Sequence, residues 1–393
     1  MADLNGSIVE EGPNDHSLFC RIEQTMWLQP LADEKSVVSY MNHKANSAVY
    51  IVILNWNGWK DTFACLDSVF KTTYADHRII VCDNHSTDGS FRHLRSYLSG
   101  RFPNAAWGGQ LSWPDHRTAQ RVESAELCSP LSSPGDGTGC EHGVVLVRTA
   151  FNLGFAGGNN IGIAFALSQG NADYIWILNN DTIVEPETLS AMIERMKAVP
   201  DAGICGSTLL YYDNPQRIQS LGGARYLKWA GIGVQLGANE RWPMDVRAES
   251  IEKEMSYVAG ASMLVTQRFL ETVGLMEDSY FLYFEEIDWS LRAAGRFKLV
   301  YAPDSIVYHK EGSAIGSSRS GRHRSPRSFF WLTRSRLQFT AKYYPAAVPS
   351  VTLYSLINCM QWALLNRNPR IFLAGIKACA SAGRGAIRYR LNQ

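Results

Sequence analysis

The stretch YIWILNND, residues 174–181, is an apolar run that ends abruptly in two amides and a carboxylate. Tyr174 to Leu178 reads as a buried strand, rich in the β-branched and aromatic residues that fit a pleated surface. Asn179, Asn180 and Asp181 then arrive together at its carboxyl end. Asn and Asp start turns well, so a turn is one explanation. Open α/β sheets also bind ligands just beyond the carboxyl ends of their strands, and a metal and phosphate site is the other.

Outward from this run the pattern repeats. VYIVILNWNG (49–58) is a β-rich run closed by Asn and Gly, followed by DTFACLDSVFK with apolar residues at helical spacing. RIIVCDNHSTDGS (78–90) is another buried strand with a polar end, followed by the helical FRHLRSYL. VVLVRT (144–149) and NLGFAGGNNIGIAFALSQG (152–170) lead into the opening strand, and VEPETLSAMIERMKAV and AGICGSTLLY follow it. Strands alternating with helices predict a mostly parallel central sheet with helices on both faces. Residues 1–46 show no period and read as a loosely ordered extension. Residues of about 100–142 are rich in Gly, Pro and Ser and read as an inserted, mobile surface loop in a domain spanning 47–312.

Parallel strands point the same way, so their polar ends share one rim. The first strand brings Asn55 and Asn57, the second Asp83 and Asn84, and the opening strand Asn179 to Asp181. A turn explains any one of these ends but explains all three poorly. Asp83 suits hydrogen bonds from a ribose or base edge, and Asp181 suits a hard divalent cation. In NLGFAGGNN, Asn152, Gly154, Gly157 and Asn159 precede a helical pattern; the alternatives are a phosphate-cradling helix start and an ordinary glycine turn. In FEEIDWSLRAAG, Glu285 and Asp288 share a helix face and Glu286 points elsewhere. A carboxylate there can act as general base, or can simply favour a helix start. His309 directly follows the predicted strand SIVY.

Taken together, VILNWNG, VCDNHSTDGS, NLGFAGGNN, LNNDT, YVAGASMLV, YFLYFEEIDWSLRAAG and YAPDSIVYHKEGS resemble, in order, the motifs of family 2 glycosyltransferases of the rhamnosyltransferase type, over Val49 to Ser313. The resemblance implies a GT-A (Rossmann-like) α/β fold and an inverting transferase using Mg²⁺ or Mn²⁺. It implies nucleotide-sugar contacts at Asn55, Asn57, Asp83, Asn84, Asn152, Gly154, Gly157, Asn159, Asn179 and Asn180. It implies metal ligands at Asp181 and His309, with Asn179 standing where the family has its first aspartate. Glu285-Glu286 stands where the family has Glu-Asp, and Glu286 takes the position of the catalytic base. The donor it points to is dTDP-L-rhamnose, with a UDP-sugar such as UDP-galactofuranose as the alternative. The acceptor is a saccharide or polyprenyl-linked saccharide of the cell surface. A non-catalytic nucleotide-sugar-binding subunit is the reading from another class.

The formal charge of +1 hides an asymmetry. Between Gly312 and Gln393 there are thirteen Lys and Arg and no Asp or Glu. Such a tail suggests an anionic partner. No recognised nucleic-acid motif accompanies it, so an anionic membrane surface is expected instead of nucleic acid. Residues 313–393 read as amphipathic helices, with Phe329, Phe330 and Trp331 as candidate lipid anchors; a helical cap on the catalytic domain is the alternative. The eight cysteines are scattered without a CxxC pair, as in a reducing compartment. The N-terminus lacks a basic and apolar leader pattern. These features predict a cytoplasmic enzyme, peripheral at the inner face of the cell membrane.

Overall fold

The computed structural model describes residues 47–102, 106–108, 111, 113–129, 143–310 and 325–391. The extension at 1–46 lies outside the described residues. In chain order the first half consists of β1 (Val49–Asn55), α1 (Trp59–Val69), β2 (His77–Asp83), α2 (Ser90–Arg101), β3 (Ala106–Gly108), α3 (His116–Gln120), β4 (Val122–Ser129), β5 (Val144–Thr149), α4 (Gly154–Ser168), β6 (Tyr174–Asn179) and β7 (Thr182–Val184). Then come α5 (Thr188–Ala198), β8 (Ala202–Tyr211), β9 (Asn214–Leu221), β10 (Gly223–Leu227), β11 (Ile232–Gln235), α6 (Ala248–Glu254), β12 (Tyr257–Val258), β13 (Ser262–Thr266), α7 (Gln267–Val273), α8 (Glu285–Ala293) and β14 (Lys298–His309). Three helices follow: α9 (Pro326–Tyr343), α10 (Val348–Leu365) and α11 (Pro369–Leu391).

The main sheet runs β3-β4-β5-β2-β1-β6-β13-β8-β14-β7, with β9 paired to β8. Its centre, β5-β2-β1-β6, is parallel, as the alternating pattern predicts. Outside that centre the sheet is mixed, since β13 runs antiparallel to both β6 and β8. Alternation along β1 builds two apolar layers. Val49, Ile51 and Ile53 meet α1, α2 and α5 on one face, and Tyr50 and Val52 meet α4 on the other. Register then decides the rim: Asn55 lies opposite Asp83, and Leu54 opposite Asn179. Part of the segment at about 100–142 extends the sheet, because β4 pairs antiparallel with β5 and β3 with β4. Residues 130–142 lie outside the described residues.

The helices after residue 325 belong to the same compact unit as the sheet. Phe339 of α9 is buried with Tyr280, Phe284, Ile287 and Tyr257. Phe329 packs on Trp362 of α10, and Trp331 stacks on Phe281 with centroids 4.3 Å apart. The expectation that Phe329 and Trp331 anchor lipid is therefore corrected: burying them against the catalytic half removes more apolar surface from water than leaving them outward.

The deepest polar contact on this interface is Asp288, whose side chain is fully buried. Its Oδ1 accepts from Arg292 Nε (2.7 Å), and its Oδ2 from Tyr280 OH (3.0 Å), Tyr343 OH (2.8 Å) and Lys342 Nζ (2.8 Å). Despite burial, which alone would raise it, the Asp288 carboxyl is held below its ordinary value by Lys342, Arg292 and Tyr343. Removing a carboxylate from a buried pair leaves cations without a partner. Asp288→Ala is expected to cost about 3–5 kcal/mol, read by chemical denaturation. Because the folded pKa is depressed, this contribution is present above the ordinary aspartate pKa. It is lost as pH falls below that value through the folded one, so wild type and variant should converge in acid.

Candidate active site

The rim at the strand ends is built from amides that bind one another. Asn55 is fully buried; its Nδ2 donates to Asp83 Oδ2 (2.7 Å) and Ser86 Oγ (3.2 Å), and its Oδ1 accepts from Thr62 Oγ1 (2.9 Å). Asn180 joins through Thr62 Oγ1 (3.0 Å) and the Gly58 carbonyl (3.3 Å). One buried network thus ties the ends of β1, β2 and β6. Asn57 sits at φ 51°, receives Thr87 N–H on its Oδ1 at 2.8 Å, and shapes the turn after β1.

Several residues expected to touch nucleotide also bind the scaffold. Asp83 is fully buried, with Asn55 on one oxygen and Ser86 N (3.1 Å) on the other; burial pushes its carboxyl up, against those hydrogen bonds. Asn84 uses its amide on the Gly154 carbonyl (2.9 Å), Asn152 Oδ1 (3.2 Å) and Leu153 N–H (2.9 Å). Asn152 Oδ1 also caps Gly154 N–H at 2.9 Å. Helix α4 begins at Gly154 itself, so Gly157 and Asn159 lie inside the helix and are buried. Gly154 has φ +75°, and a Cβ there would run into the Phe281 carbonyl. A Cβ on Gly157 would lie 2.9 Å from Leu153 Cβ. The glycines let α4 press against its neighbours.

Asp181 and His309 do meet. His309 Nε2 lies 3.2 Å from Asp181 Oδ1, both side chains being 13% exposed. They are far apart in sequence; the antiparallel register of β14 and β7 places His309 opposite Thr182. Lys310 N–H donates to the Asp181 carbonyl (2.9 Å), and its Nζ holds Asp61 (2.8 Å). The other ring nitrogen, His309 Nδ1, donates to Gln219 Oε1 at 2.9 Å. That bond fixes the ring so that Nε2 faces the Asp181 carboxylate, which a protonated ring meets as an ion pair and a neutral ring can join in binding a cation. Two lone-pair donors at this spacing fit a cation held by both.

Glu285 and Glu286 open α8 from a strained approach. Phe281, Tyr283 and Phe284 all have positive φ (68°, 68° and 77°). Such backbone costs of the order of 1–3 kcal/mol per residue and persists only where the surroundings impose it. Here Phe155 N–H binds the Phe281 carbonyl (2.7 Å), Ser335 Oγ binds the carbonyls of Tyr280 (3.1 Å) and Leu282 (2.9 Å), and Tyr283 OH meets Ser328 Oγ (2.8 Å). Glu285 is buried and Glu286 half-buried, and among the described residues neither Oε2 has a hydrogen-bond partner. Burial raises Glu286 from 4.5 to about 6. Burial and then the Glu286 charge raise Glu285 further. Glu286 Oε1 lies 3.1 Å from where a Gly260 Cβ would be, and the next residue, Ala261, accepts from Asn179 N–H (3.0 Å). Glu286 therefore borders the same crevice as the end of β6. Asp288, one of the candidate bases, has both oxygens engaged by Arg292, Tyr280, Lys342 and Tyr343.

Residues 124–273 match the model of glycosyl transferase family 2. That segment, less than half of the chain, is similar to a family 2 glycosyltransferase domain. A low-salt glycan biosynthesis hexosyltransferase of Haloferax volcanii is 24% identical over 39% of this chain and 48% of its own length. A rhamnosyltransferase of Escherichia coli is 28% identical over 47% of this chain and 72% of its own length. An N-acetylglucosaminyl-diphospho-decaprenol L-rhamnosyltransferase of Mycobacterium tuberculosis is 26% identical over 44% and 61%. The chain thus spans about half of the first of these relatives. Among solved structures, a mannosyltransferase of Pyrobaculum calidifontis in complex with GDP-Man and Mn²⁺ aligns at TM-score 0.44 and 12% identity, over 91% of this chain and 86% of that one.

The glycosyltransferase match includes Asn179 to Asp181 but ends before Glu286 and His309. Sequence reading alone misses Gln219, Ser335, Lys342 and Tyr343, which support the domain's site from outside every motif. The unpartnered Glu286 leads to a measurable consequence. Its folded pKa is raised, so stability associated with its protonated form is present below the ordinary glutamate value and is lost as pH rises through about 6. Urea unfolding across that window should show wild type losing more stability than Glu286→Gln. Parallel profiles would mean that the carboxylate is solvated.

Proposed function

We propose that this protein is an inverting glycosyltransferase that moves a sugar from a nucleotide-sugar donor to a hydroxyl of a saccharide or lipid-linked saccharide. The observation that carries the reading is the placement of the Asp181–His309 pair (3.2 Å) just past the end of β6 and of Glu286 beside Gly260, whose neighbour Ala261 is hydrogen-bonded to Asn179 of that strand. Inverting transfer needs a base on one side and charge neutralisation on the other. Glu286 takes the proton of the acceptor hydroxyl, whose oxygen forms the new bond to the anomeric carbon. The bond from that carbon to the donor phosphate breaks, and the nucleoside diphosphate leaves with the electron pair. A pKa of about 6 leaves Glu286 ionised at neutral pH and still basic enough for the task.

Asp181 and His309 would hold a divalent cation, Mg²⁺ or Mn²⁺. Bound there, it supplies positive charge against the leaving diphosphate. Gln219 orients the imidazole so that Nε2 faces the ion. Asn57, Asn152, Asn179 and Asn180 are only half-buried on the rim and remain available to the nucleotide. The rhamnosyltransferase relatives support dTDP-L-rhamnose as donor, and the name of the Mycobacterium tuberculosis relative supports a polyprenyl-diphosphate-linked acceptor. Such an acceptor places the enzyme at the inner face of the cell membrane, with its catalytic part in the cytoplasm. No helix among the described residues is long and apolar enough to cross a membrane.

Calorimetric titration of dTDP-L-rhamnose and UDP-galactofuranose, with and without Mg²⁺ or Mn²⁺, decides the donor. Asp181→Ala should abolish metal-dependent donor binding while leaving the melting curve intact; undiminished binding would refute the cation site. Gln219→Ala should weaken metal affinity by roughly 10–100-fold. Glu286→Gln should keep donor affinity and lose roughly two to four orders of magnitude in turnover. If Glu286→Gln stays active while Glu285→Gln is dead, the base has been assigned to the wrong carboxylate. A chain that binds donor but transfers nothing to any saccharide acceptor would be a binding subunit.

A further inference from the structure

Helix α10 carries an apolar stripe on the side that, among the described residues, no other element covers. Leu353, Ile357, Met360 and Leu364 are 61%, 41%, 46% and 71% exposed. Their spacing of four, three and four residues puts them on one narrow face, about 16 Å long at the helical rise. The opposite face supplies the buried Val351, Ser355 and Cys359, so the stripe is not the helix's core side. It continues through the last residue of the helix, Leu365, which is 78% exposed, to Leu373 of α11, which is 53% exposed.

At the other end the stripe meets the turn between β10 and β11. Ser350 Oγ donates to the Trp229 carbonyl (2.8 Å), one turn before Leu353, and the Trp229 ring is 59% exposed. The same turn borders a cavity of about 650 Å³ lined by Leu227, Trp229, Ile287, Phe339 and Tyr344. Ile287 is the residue after Glu286. The apolar surface therefore leads from the α10–α11 turn to the helix that carries the proposed base.

The charge beside the stripe is all of one sign. Arg367 and Arg370 lie in or beside the α10–α11 turn and Lys377 follows on α11, all exposed, and Lys228 sits over Trp229 at 5.8 Å. No Asp or Glu occurs anywhere after Glu311. A protein partner would have to bring an extended acidic and apolar surface. A bilayer with anionic headgroups presents both features everywhere, headgroup charge for the Arg and acyl chains for the Leu.

We propose that the outward face of α10, the α10–α11 turn and Trp229 form a docking surface for a bilayer containing anionic lipid. It deepens, and for its purpose rests on, the reading of a lipid-linked acceptor: seated this way, the cavity beside Trp229 opens where the apolar part of such an acceptor resides. The Arg residues select anionic headgroups, and the stripe inserts among the upper acyl segments. The aromatic residues of α9 take no part, being packed inward.

The test is co-sedimentation of the full chain with vesicles of phosphatidylcholine alone or mixed with phosphatidylglycerol. Binding to the mixed vesicles should weaken as salt rises, since headgroup attraction is screened. Leu364→Glu combined with Leu365→Glu, and separately Arg367→Gln combined with Arg370→Gln, should each reduce partitioning about tenfold or more. All four side chains are exposed, so melting curves should not move. Asp181→Ala should bind vesicles like wild type, which separates this surface from the transfer chemistry. Equal binding of the leucine double variant and wild type would overturn the proposal, as would equal binding to neutral and anionic vesicles or binding to neither. A wild-type dimer that the leucine change converts to monomer would show that a second copy covers the stripe, and would overturn it too.

Discussion

The buried carboxylate of Asp288 is the contact on which the geometry of the site depends. It gathers Arg292 from its own helix, Tyr280 from the approach to that helix, and Lys342 and Tyr343 from α9. Arg292 passes the constraint on, because its remaining nitrogens hold the carbonyls of Val273 and Leu275 (2.7 Å each) at the end of α7. One anion therefore aligns four pieces of chain. Buried ion pairs are a weak source of net stability but a strong penalty against any arrangement that breaks them. Here that penalty fixes the orientation of α8, and with it the direction in which Glu285 and Glu286 leave the helix.

The opposite wall is held chiefly by amides and hydroxyls around the Asp83 carboxyl. Asn55 can donate twice and accept twice, and it spends those capacities on Asp83, Ser86, Thr62 and Asn180. A satisfied amide network in a dry interior is rigid, since each bond lost would leave a buried polar atom unpaired. The rim residues that remain half-buried are thereby presented from a fixed frame. The two walls differ in how they are satisfied. The amide wall is saturated, whereas each of the two glutamates leaves one oxygen unpaired among the described residues. A group meant to exchange a proton cannot be fully hydrogen-bonded beforehand, and the strained loop ahead of α8 is a further cost borne at the same place.

The C-terminal helices join these two themes. Ser328, Trp331 and Ser335 hold the strained approach from one side of α9, while Lys342 and Tyr343 hold Asp288 about two turns beyond Ser335. The basic tail is thus part of the catalytic body along α9, and only α10 and α11 retain a free apolar edge. This division also accounts for composition: α9 spends its aromatic residues inward, and the aliphatic residues of α10 face both ways.

How much was legible in the sequence follows from the range of each interaction. Strand and helix periods, polar strand ends and the parallel centre of the sheet are local or nearest-neighbour properties, and YIWILNND with its companions determined them. The pairing of Asp181 with His309 was readable only through resemblance, because it rests on a β14–β7 register set by distant strands. The protein contacts of Asp83, Asn84, Gly154, Gly157 and Asn159 were not readable for one reason: a polar or glycine residue at a strand end looks the same whether it faces a ligand or a neighbouring element. Gln219, Ser335, Lys342 and Tyr343 carried no signal at all, since a hydrogen bond between elements leaves no period in either one. The sequence by itself determined which residues lie along the rim and which element carries the carboxylates. Only the tertiary structure decided which of them are already bound to protein and which still face the crevice, because that depends on partners brought together from every part of the chain.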